Sequence, residues 1–164
     1  MSATPLDIEA LADSLVACAD ELHTRLMRAI RAAPPPATPA PPASPPVPAA
    51  PGNLDLGLSQ GAAQALFENE VALRQRANGL YLDAATLAAT GLDGQQHQLL
   101  DLTAQAQEKI RKINRLRDLI DITGELLALG AAVASGQPEH LAAPLEKIRH
   151  HLAALKAVAA PPAA

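Results

Sequence analysis

The sequence predicts an all-α protein, and three observations support that prediction. Apolar residues recur at steps of three and four over most of the 164 residues, which is the spacing of a helix face. Aromatic residues are 1% of the chain, and much of its 49% apolar fraction is alanine, which suits close-packed helices better than sheets. No proline interrupts the longest periodic stretch, residues 95–135. We therefore expect an antiparallel helical hairpin or three-helix bundle with a long central helix, plus an N-terminal amphipathic helix on a Pro/Ala-rich linker.

The first predicted helix covers residues 4–33, within an N-terminal unit of residues 1–33. Thr4 can cap it, and Pro5 then occupies the first helical position, where its missing N–H has no intrahelical partner to lose. Its apolar residues form a seam close to an a/d heptad pattern, which favours docking against other helices. The seam consists of Ile8, Leu11, Leu15, Cys18, Leu22, Leu26 and Ile30.

Residues 34–57 are predicted to be a linker. Residues 34–52 are almost entirely proline and alanine, which favours polyproline II, because proline lacks a backbone donor and keeps the preceding residue out of a helix. At about 3 Å per residue this part would span roughly 50–60 Å. A spacer is the main interpretation. A ligand for a proline-binding groove is the alternative, although no basic residue flanks the prolines.

The second helix is predicted over residues 58–89, with Ser59 as its N-cap. The dipeptide Asn78-Gly79 is typical of hairpin turns, but the helical period continues on both sides, so we expect the helix to run through it. Gly79 is then expected to mark a close helix crossing or a slight kink. Gly91 is expected to end the helix.

The central helix is predicted over Gln95–Ser135, a length of roughly 60 Å. Asp93 with Gln96 forms a capping-box pattern at its start, and Gly136 is expected to end it. Its first half is amphipathic. Its second half is apolar on two sides and therefore needs cover on both.

The last helix is expected to begin with Pro144 at its first position, after a short turn over residues 139–142. It would fold back along only the C-terminal half of the central helix, leaving a groove beside the N-terminal half, near residues 99–110. The predicted bundle covers residues 58–160 and is followed by a disordered tail at 161–164. The N-terminal helix is long enough to lie along this bundle, either in its own chain or in a second one.

A basic run in the central helix is the strongest local charge feature, with Lys109, Arg111, Lys112, Arg115 and Arg117. A solvated face with i,i+4 ion pairs is the main interpretation, and a surface for an acidic patch on a partner protein is an alternative. Nucleic acid is not an expected partner, because no aromatic residue accompanies the run and the chain has a formal net charge of −4.

No residue pattern predicts catalysis, a metal or a cofactor. The adjacent His150 and His151 point about 100° apart on a helix, and the pair of Glu146 with His150 lacks a third ligand at a defined spacing. Cys18 lies on the apolar seam and is expected to be a buried small hydrophobe with no group to activate it. No glycine-rich phosphate loop is present. We therefore expect a non-enzymatic protein without a cofactor.

The predicted compartment is the cytoplasm. A single cysteine excludes an intramolecular disulfide, and residues 1–9 lack the basic and apolar regions of a secretory signal. The most apolar run, residues 126–134, is much shorter than the roughly 20 residues that span a membrane. Export by a route that reads no N-terminal signal stays open.

The sequence therefore predicts a helical protein–protein interaction module, in the class of adaptor, chaperone-like, immunity or regulatory binding proteins. The expected partner is another protein, a second copy of the chain, or both, contacted through helices. The alternative is a protein whose amphipathic helices coat a lipid or polymer inclusion surface, although a net acidic charge is unusual for one. The candidate partner-binding residues are Leu11, Leu15, Leu22, Leu26, Leu99, Leu102, Arg111 and Arg115.

Overall fold

The structure is a computed structural model of the chain. Helices make up most of the residues that it describes. The described residues are 3–32, 60–90, 92, 94–113 and 115–159, and no strand occurs among them. The predicted all-α class is therefore confirmed. The helices are α1 (Pro5–Ala32), α2 (Gln60–Thr90), α3 (Gln96–Lys112), α4 (Leu116–Ala134) and α5 (Ala142–Ala159), with one turn of 3-10 helix at Pro138–His140.

Some predicted features lie outside the described residues. They are the linker at 34–57, the tail at 161–164, and the caps assigned to Ser59, Gly91 and Asp93.

The start of α1 is set by local sequence, as predicted. The backbone N–H of Thr4 donates to Asp7 Oδ2 at 2.7 Å, and the N–H of Asp7 donates to Thr4 Oγ1 at 3.3 Å. Thr4 and Asp7 thus satisfy each other's backbone donors in a reciprocal cap. Pro5 is the first helical residue, where no intrahelical donor is needed.

The prediction of one unbroken helix over Gln95–Ser135 is wrong. The backbone is extended at Ile113, with φ −63° and ψ 131°, and again at Arg115, with φ −92° and ψ 125°. The helical path therefore ends at Lys112 and restarts at Leu116. No proline or glycine marks the break, and Ile113 is only 6% exposed, so the apolar period continues across it.

The break is stabilised from α1. The guanidinium of Arg25 donates from Nη1 to the carbonyl oxygen of Arg111 at 3.0 Å, and from Nη2 to the carbonyl oxygen of Ile113. The last carbonyls of a helix have no intrahelical donor, so a buried cation at this point satisfies them. A contact between distant parts of the chain thus replaces the hydrogen bonds that a continuous helix would have made.

Contacts between helices give their relative directions. Residue numbers rise in opposite senses along α1 and α2, and in the same sense along α1 and α3 and along α2 and α4. It follows that α3 and α4 run in opposite directions on either side of the break. The pairs that establish this are Asp13 with Tyr81 and Asp20 with Arg74, Ser14 with Thr103 and Glu21 with Arg111, and Asn69 with Thr123 and Arg76 with Gly130.

α1 occupies the groove that was predicted from the sequence beside residues 99–110. It packs mainly against α2 and α3, whereas the main contacts of α2 are with α1 and α4. Leu99, Ala106 and Ile110 are fully buried as a result, and the prediction of an uncovered groove is wrong for this state of the chain. The reason is that α1 docks in its own chain, which was one of the two alternatives.

The close helix crossing lies at Gly130 and not at Gly79. A Cβ added at Gly130 would lie 2.7 Å from Arg76 Cγ and 3.3 Å from Leu15 Cδ1, whereas one added at Gly79 meets nothing within 4 Å. α2 continues through Gly79, as predicted, but the expected close crossing there is wrong. Which helical glycine faces a neighbour depends on tertiary packing, and the local sequence does not contain that information.

The final helix starts two residues before the predicted position. α5 begins at Ala142, so Pro144 is its third residue. The backbone N–H groups of the first turn have no intrahelical acceptor, which allows a proline at this position as well as at the first. Gly136, with φ 68°, follows α4 and confirms the predicted end of that segment.

Candidate functional site

The apolar seam of α1 is buried except at its last residue, Ile30, which is 47% exposed. Leu15 and Leu22 are 0% exposed, and Leu11 and Leu26 are 1% exposed. These four are the candidate partner-binding residues of the first helix, and all of them pack in the core of their own chain. Burial of each of these leucine side chains contributes about 1.5–3 kcal/mol to the free energy of folding, relative to an exposed side chain. The seam is therefore a large part of what holds α1 in place.

The predicted groove residues of α3 belong to the same core. Leu99 is 0% exposed and Leu102 is 6% exposed, and both join the cluster that contains the α1 seam. The predicted docking arm and the predicted docking groove are thus brought together within one molecule. Whether either contacts a partner stays a prediction.

A small polar contact fixes the register of α1 on α3. Ser14 Oγ donates to Thr103 Oγ1 at 2.7 Å, and Cys18 Sγ lies 3.6 Å from the carbonyl oxygen of Thr103. Thr103 is fully buried, so a slip of α1 along α3 would leave its hydroxyl group without this partner. The sequence did not single out Thr103, because an isolated threonine in an amphipathic helix carries no specific signal.

Arg25 is the most unusual group at this interface. Its residue is 8% exposed, its two Nη groups cap the end of α3, and its Nε is buried without a hydrogen-bond partner. Burial lowers the pKa of Arg25, and the charge of Arg28 lowers it further. An arginine keeps its charge under such conditions, so a cation is held among helix-end carbonyls.

Arg111 pairs with α1. Its Nη2 lies 2.8 Å from Glu21 Oε1, and its Nη1 lies 3.5 Å from Glu108. The hydrogen bond to Glu21 and the charge of that carboxylate raise the pKa of Arg111. Arg111 is more than half exposed, so the pair lies at the rim of the α1–α3 interface and contributes little to stability.

A second line of polar contacts joins α1 to α2. Glu70, only 5% exposed, accepts from Arg74 and lies 3.0 Å from His23 Nδ1. Arg74 also reaches Asp20 at 2.8 Å, so it joins carboxylates from both helices. Near the other end, Tyr81 donates to Asp13, and this hydrogen bond, together with partial burial, raises the pKa of Tyr81 to about 12. α1 is therefore held by polar contacts along both of its flanks.

Arg115 lies apart from α1. With the residues around the break it lines a hollow of about 300 Å³, which the end of α5 borders on its other side. Arg115 was predicted from the basic run, whereas the apolar residues that share the hollow with it were not predicted as part of a site. The lining residues are Lys109, Lys112, Ile113, Arg115, Asp118, Leu155 and Val158.

The cysteine and one of the histidines lie in contacts between helices. Cys18 is fully buried, as predicted, and burial followed by the charge of Glu21 raises the pKa of its thiol to about 12, so the thiol stays protonated at neutral pH. His151 Nδ1 lies 2.9 Å from Glu125 Oε2 between α5 and α4. Within the described ranges, no group of three or more histidine, cysteine, aspartate or glutamate side chains is placed to hold a metal ion.

None of the helices in the described part of the chain has the length and apolar content needed to cross a lipid bilayer. Comparison of the chain with protein-family models, with characterised proteins and with solved structures finds no match.

Proposed function

We propose that this chain is a non-enzymatic helical interaction module of the cytoplasm, in which α1 is a tethered helix that a partner helix can replace. The observation that carries the proposal is the mutual burial of the predicted arm, represented by Leu15 and Leu22, and the predicted groove, represented by Leu99. A groove that already binds an amphipathic helix has the shape and chemistry to bind another. Adaptor, chaperone-like, immunity and regulatory roles are all compatible with such a groove.

The length of the connection to α1 supports this proposal. α1 and α2 run in opposite directions, so residues 32 and 60 lie at the same end of the pair, where a connection of a few residues is usual. The chain instead provides residues 33–59, which can reach up to roughly 90 Å at about 3.3 Å per residue. α1 can therefore leave its groove while the short connections between the other helices stay intact.

In the closed state α1 occupies the groove, so a partner helix must displace it in order to bind. Releasing α1 exposes the leucines of the seam together with Leu99 and Ile110, so the open form is a minor state. A tether of this kind gives α1 an effective concentration in the millimolar range, so against a partner helix at about 1 μM it has roughly a thousandfold advantage, or about 4 kcal/mol. A partner helix must overcome that advantage. This favours partners that match the seam and place a cation where Arg25 lies.

A reversible staple across the α1–α3 interface tests the proposal. Ser14→Cys with Thr103→Cys, in a Cys18→Ala background, replaces two oxygens that lie 2.7 Å apart, a separation that suits a disulfide after small adjustments. The stapled and reduced forms are used to capture proteins from the native cell. We expect partners to bind the reduced form and to be lost from the oxidised form.

A second staple provides the matched control. Asn69→Cys with Thr123→Cys joins α2 to α4, at a position where Asn69 Nδ2 lies 2.8 Å from Thr123 Oγ1, and leaves α1 free. Oxidation of this variant should leave capture unchanged. Equal capture by both oxidised variants, or equal loss from both, would contradict release of α1. Co-flotation of the reduced form with liposomes or granules would instead support the surface-coating alternative.

A further inference from the structure

The hollow at the break between α3 and α4 is formed by an interruption of the helical path. Extended backbone at Ile113 and Arg115 separates the last turn of α3 from the first turn of α4, and the end of α5 lies across the gap. Its volume of about 300 Å³ is at the lower end of the range for ligand pockets, which suits one or two inserted side chains. No residue of α1 lines the hollow, although Arg25 of α1 holds the end of α3 that borders it.

One side of the hollow is apolar. Ile113 forms a buried floor at 6% exposure, Leu155 is partly buried, and Val158 is 69% exposed. α5 is well packed earlier in its length, where Ile148 is 0% and Leu152 is 2% exposed. Its apolar face therefore continues beyond the part that the bundle covers. The uncovered residues mark an apolar edge that a further side chain can bury.

The other side of the hollow is mainly cationic. It carries Lys109, Lys112 and Arg115 against one carboxylate, that of Asp118. Lys112 pairs with Glu108 at 2.7 Å, whereas neither Lys109 nor Arg115 forms an ion pair with another described residue. α4 also begins here without a side-chain cap, so the positive end of its dipole adds to the field. This combination attracts an anionic group beside an apolar one.

A protein segment fits these features better than nucleic acid does. Base stacking needs aromatic side chains, and the two aromatic residues of the chain, Phe67 and Tyr81, both lie on α2. A phosphate backbone would gain nothing from the edge formed by Leu155 and Val158. A helix with carboxylates on either side of a leucine would use both the cations and the apolar edge.

We propose that this hollow docks an acidic amphipathic helix of a partner protein. One large apolar side chain of the partner packs on Ile113, Leu155 and Val158, while its carboxylates pair with Lys109 and Arg115. The sequence had suggested, as an alternative, that the basic run binds an acidic patch on a partner protein. The proposal restricts that role to the cations that do not pair with α1. Arg111 is not part of it, because its guanidinium pairs with Glu21.

The test measures fluorescence anisotropy of a labelled peptide of repeated Leu-Glu-Glu-Leu units titrated with the full chain. Lys109→Glu with Arg115→Glu should weaken binding by about tenfold or more, because two attractive pairs become repulsive. Lys147→Glu with Arg149→Glu makes the same charge change on the exposed side of α5 and should leave affinity within about twofold. Circular dichroism confirms that both variants keep their helices.

Three further arms make the assignment specific. Val158→Ser, at an exposed position, should weaken binding of the leucine peptide but not of a matched peptide with glutamine in place of leucine. The Lys109→Glu, Arg115→Glu variant should instead bind a Leu-Lys-Lys-Leu peptide. Binding should be equal with the Ser14–Thr103 staple open or closed, which separates this site from the proposed role of α1.

Several results would overturn the proposal. Absence of peptide binding, equal weakening by the α5 control variant, or equal binding of leucine and glutamine peptides would each exclude an apolar–acidic docking site. Tighter binding of a single-stranded oligonucleotide or of anionic phosphatidylserine vesicles, lost in the same variant, would assign the hollow to another class of partner. Self-association detected by light scattering and abolished by Lys109→Glu with Arg115→Glu would assign it to a second copy.

Discussion

α1 and α5 both pack against α3, but they cover it to different depths. α1 buries its apolar seam except for Ile30 and inserts Arg25 at the end of α3, whereas α5 buries Ile148 and leaves Val158 69% exposed. Both helices carry apolar residues at steps of three and four, so that spacing alone does not distinguish them. What distinguishes them is how completely neighbouring helices complement the apolar face. In this bundle α1 is packed closely against its neighbours, whereas the end of α5 leaves apolar surface that a partner can contact.

The largest expected effect comes from removing bulk from the α1 seam. Leu15→Ala should lower the free energy of unfolding by about 2–5 kcal/mol, because Leu15 is 0% exposed and the side chains around it cannot fully close the cavity. Val158→Ala on α5 should change it by less than about 0.5 kcal/mol, since Val158 is exposed. Urea unfolding followed by circular dichroism measures both. Equal effects would contradict the difference between the two helices.

Arg25 tests the polar part of the α1 interface. Arg25→Met keeps most of the side-chain bulk but removes both donors to the carbonyls of Arg111 and Ile113, and should destabilise the chain by about 1–3 kcal/mol. Arg25→Lys keeps the charge but lacks the fork that reaches two acceptors, so it should recover only part of the loss. Chemical denaturation gives the magnitude.

Hydrogen exchange locates that effect and supplies its control. The N–H of Ile113 donates to the Lys109 carbonyl at 2.8 Å in the last turn of α3, and its exchange should accelerate in Arg25→Met. Arg111→Met removes an exposed pair and should leave this exchange rate nearly unchanged. Faster exchange throughout the chain in Arg25→Met, with no excess at Ile113, would contradict a local cap.

Glycine substitutions test how tightly α1, α2 and α4 meet. Gly130→Ala should destabilise by about 1–3 kcal/mol, because its methyl group would lie 2.7 Å from Arg76 Cγ and 3.3 Å from Leu15 Cδ1. Gly79→Ala fills open space in the middle of α2 and should stabilise by up to about 1 kcal/mol. Thermal melts of the two variants should therefore shift in opposite directions. A shift in the same direction for both would place the close crossing elsewhere.

The sequence predicts the features that local residues determine. The cap at Thr4, the start at Pro5 and the burial of the Leu15 and Leu22 seam follow from spacing and from side chains within a few positions. The break at Ile113 does not, because its hydrogen-bond donor is Arg25, which lies 88 positions away. A break without proline or glycine leaves no trace in the apolar period.

The candidate binding surfaces likewise combine features that local sequence predicts with features that depend on distant contacts. The sequence identified Arg111 and Arg115 as one basic run, but the break sends them to different sides, one to Glu21 on α1 and the other to the hollow beside α5. Val158 continues the apolar spacing of Ile148, Leu152 and Leu155 on the last helix, yet it is 69% exposed. It lines the hollow at the end of α3, and that end is held by Arg25. Prediction of the hollow thus required the tertiary contact that the sequence could not provide.

The smallest expected effect concerns the first turn of α1 and depends on pH. Hydrogen bonds from the backbone and side chain of Thr4 hold the pKa of Asp7 below its usual value of 3.8. The charged carboxylate therefore stabilises the folded chain fully above that value, and its contribution is lost as the pH falls through the lower folded-state pKa. At neutral pH, Asp7→Asn should cost about 0.5–1 kcal/mol, at the low end because the cap is exposed. Urea unfolding of both proteins from pH 7 downward should show a constant difference that shrinks below about pH 3.8. A difference that persists undiminished in acid would mean that the charge of Asp7 is not what stabilises the start of α1.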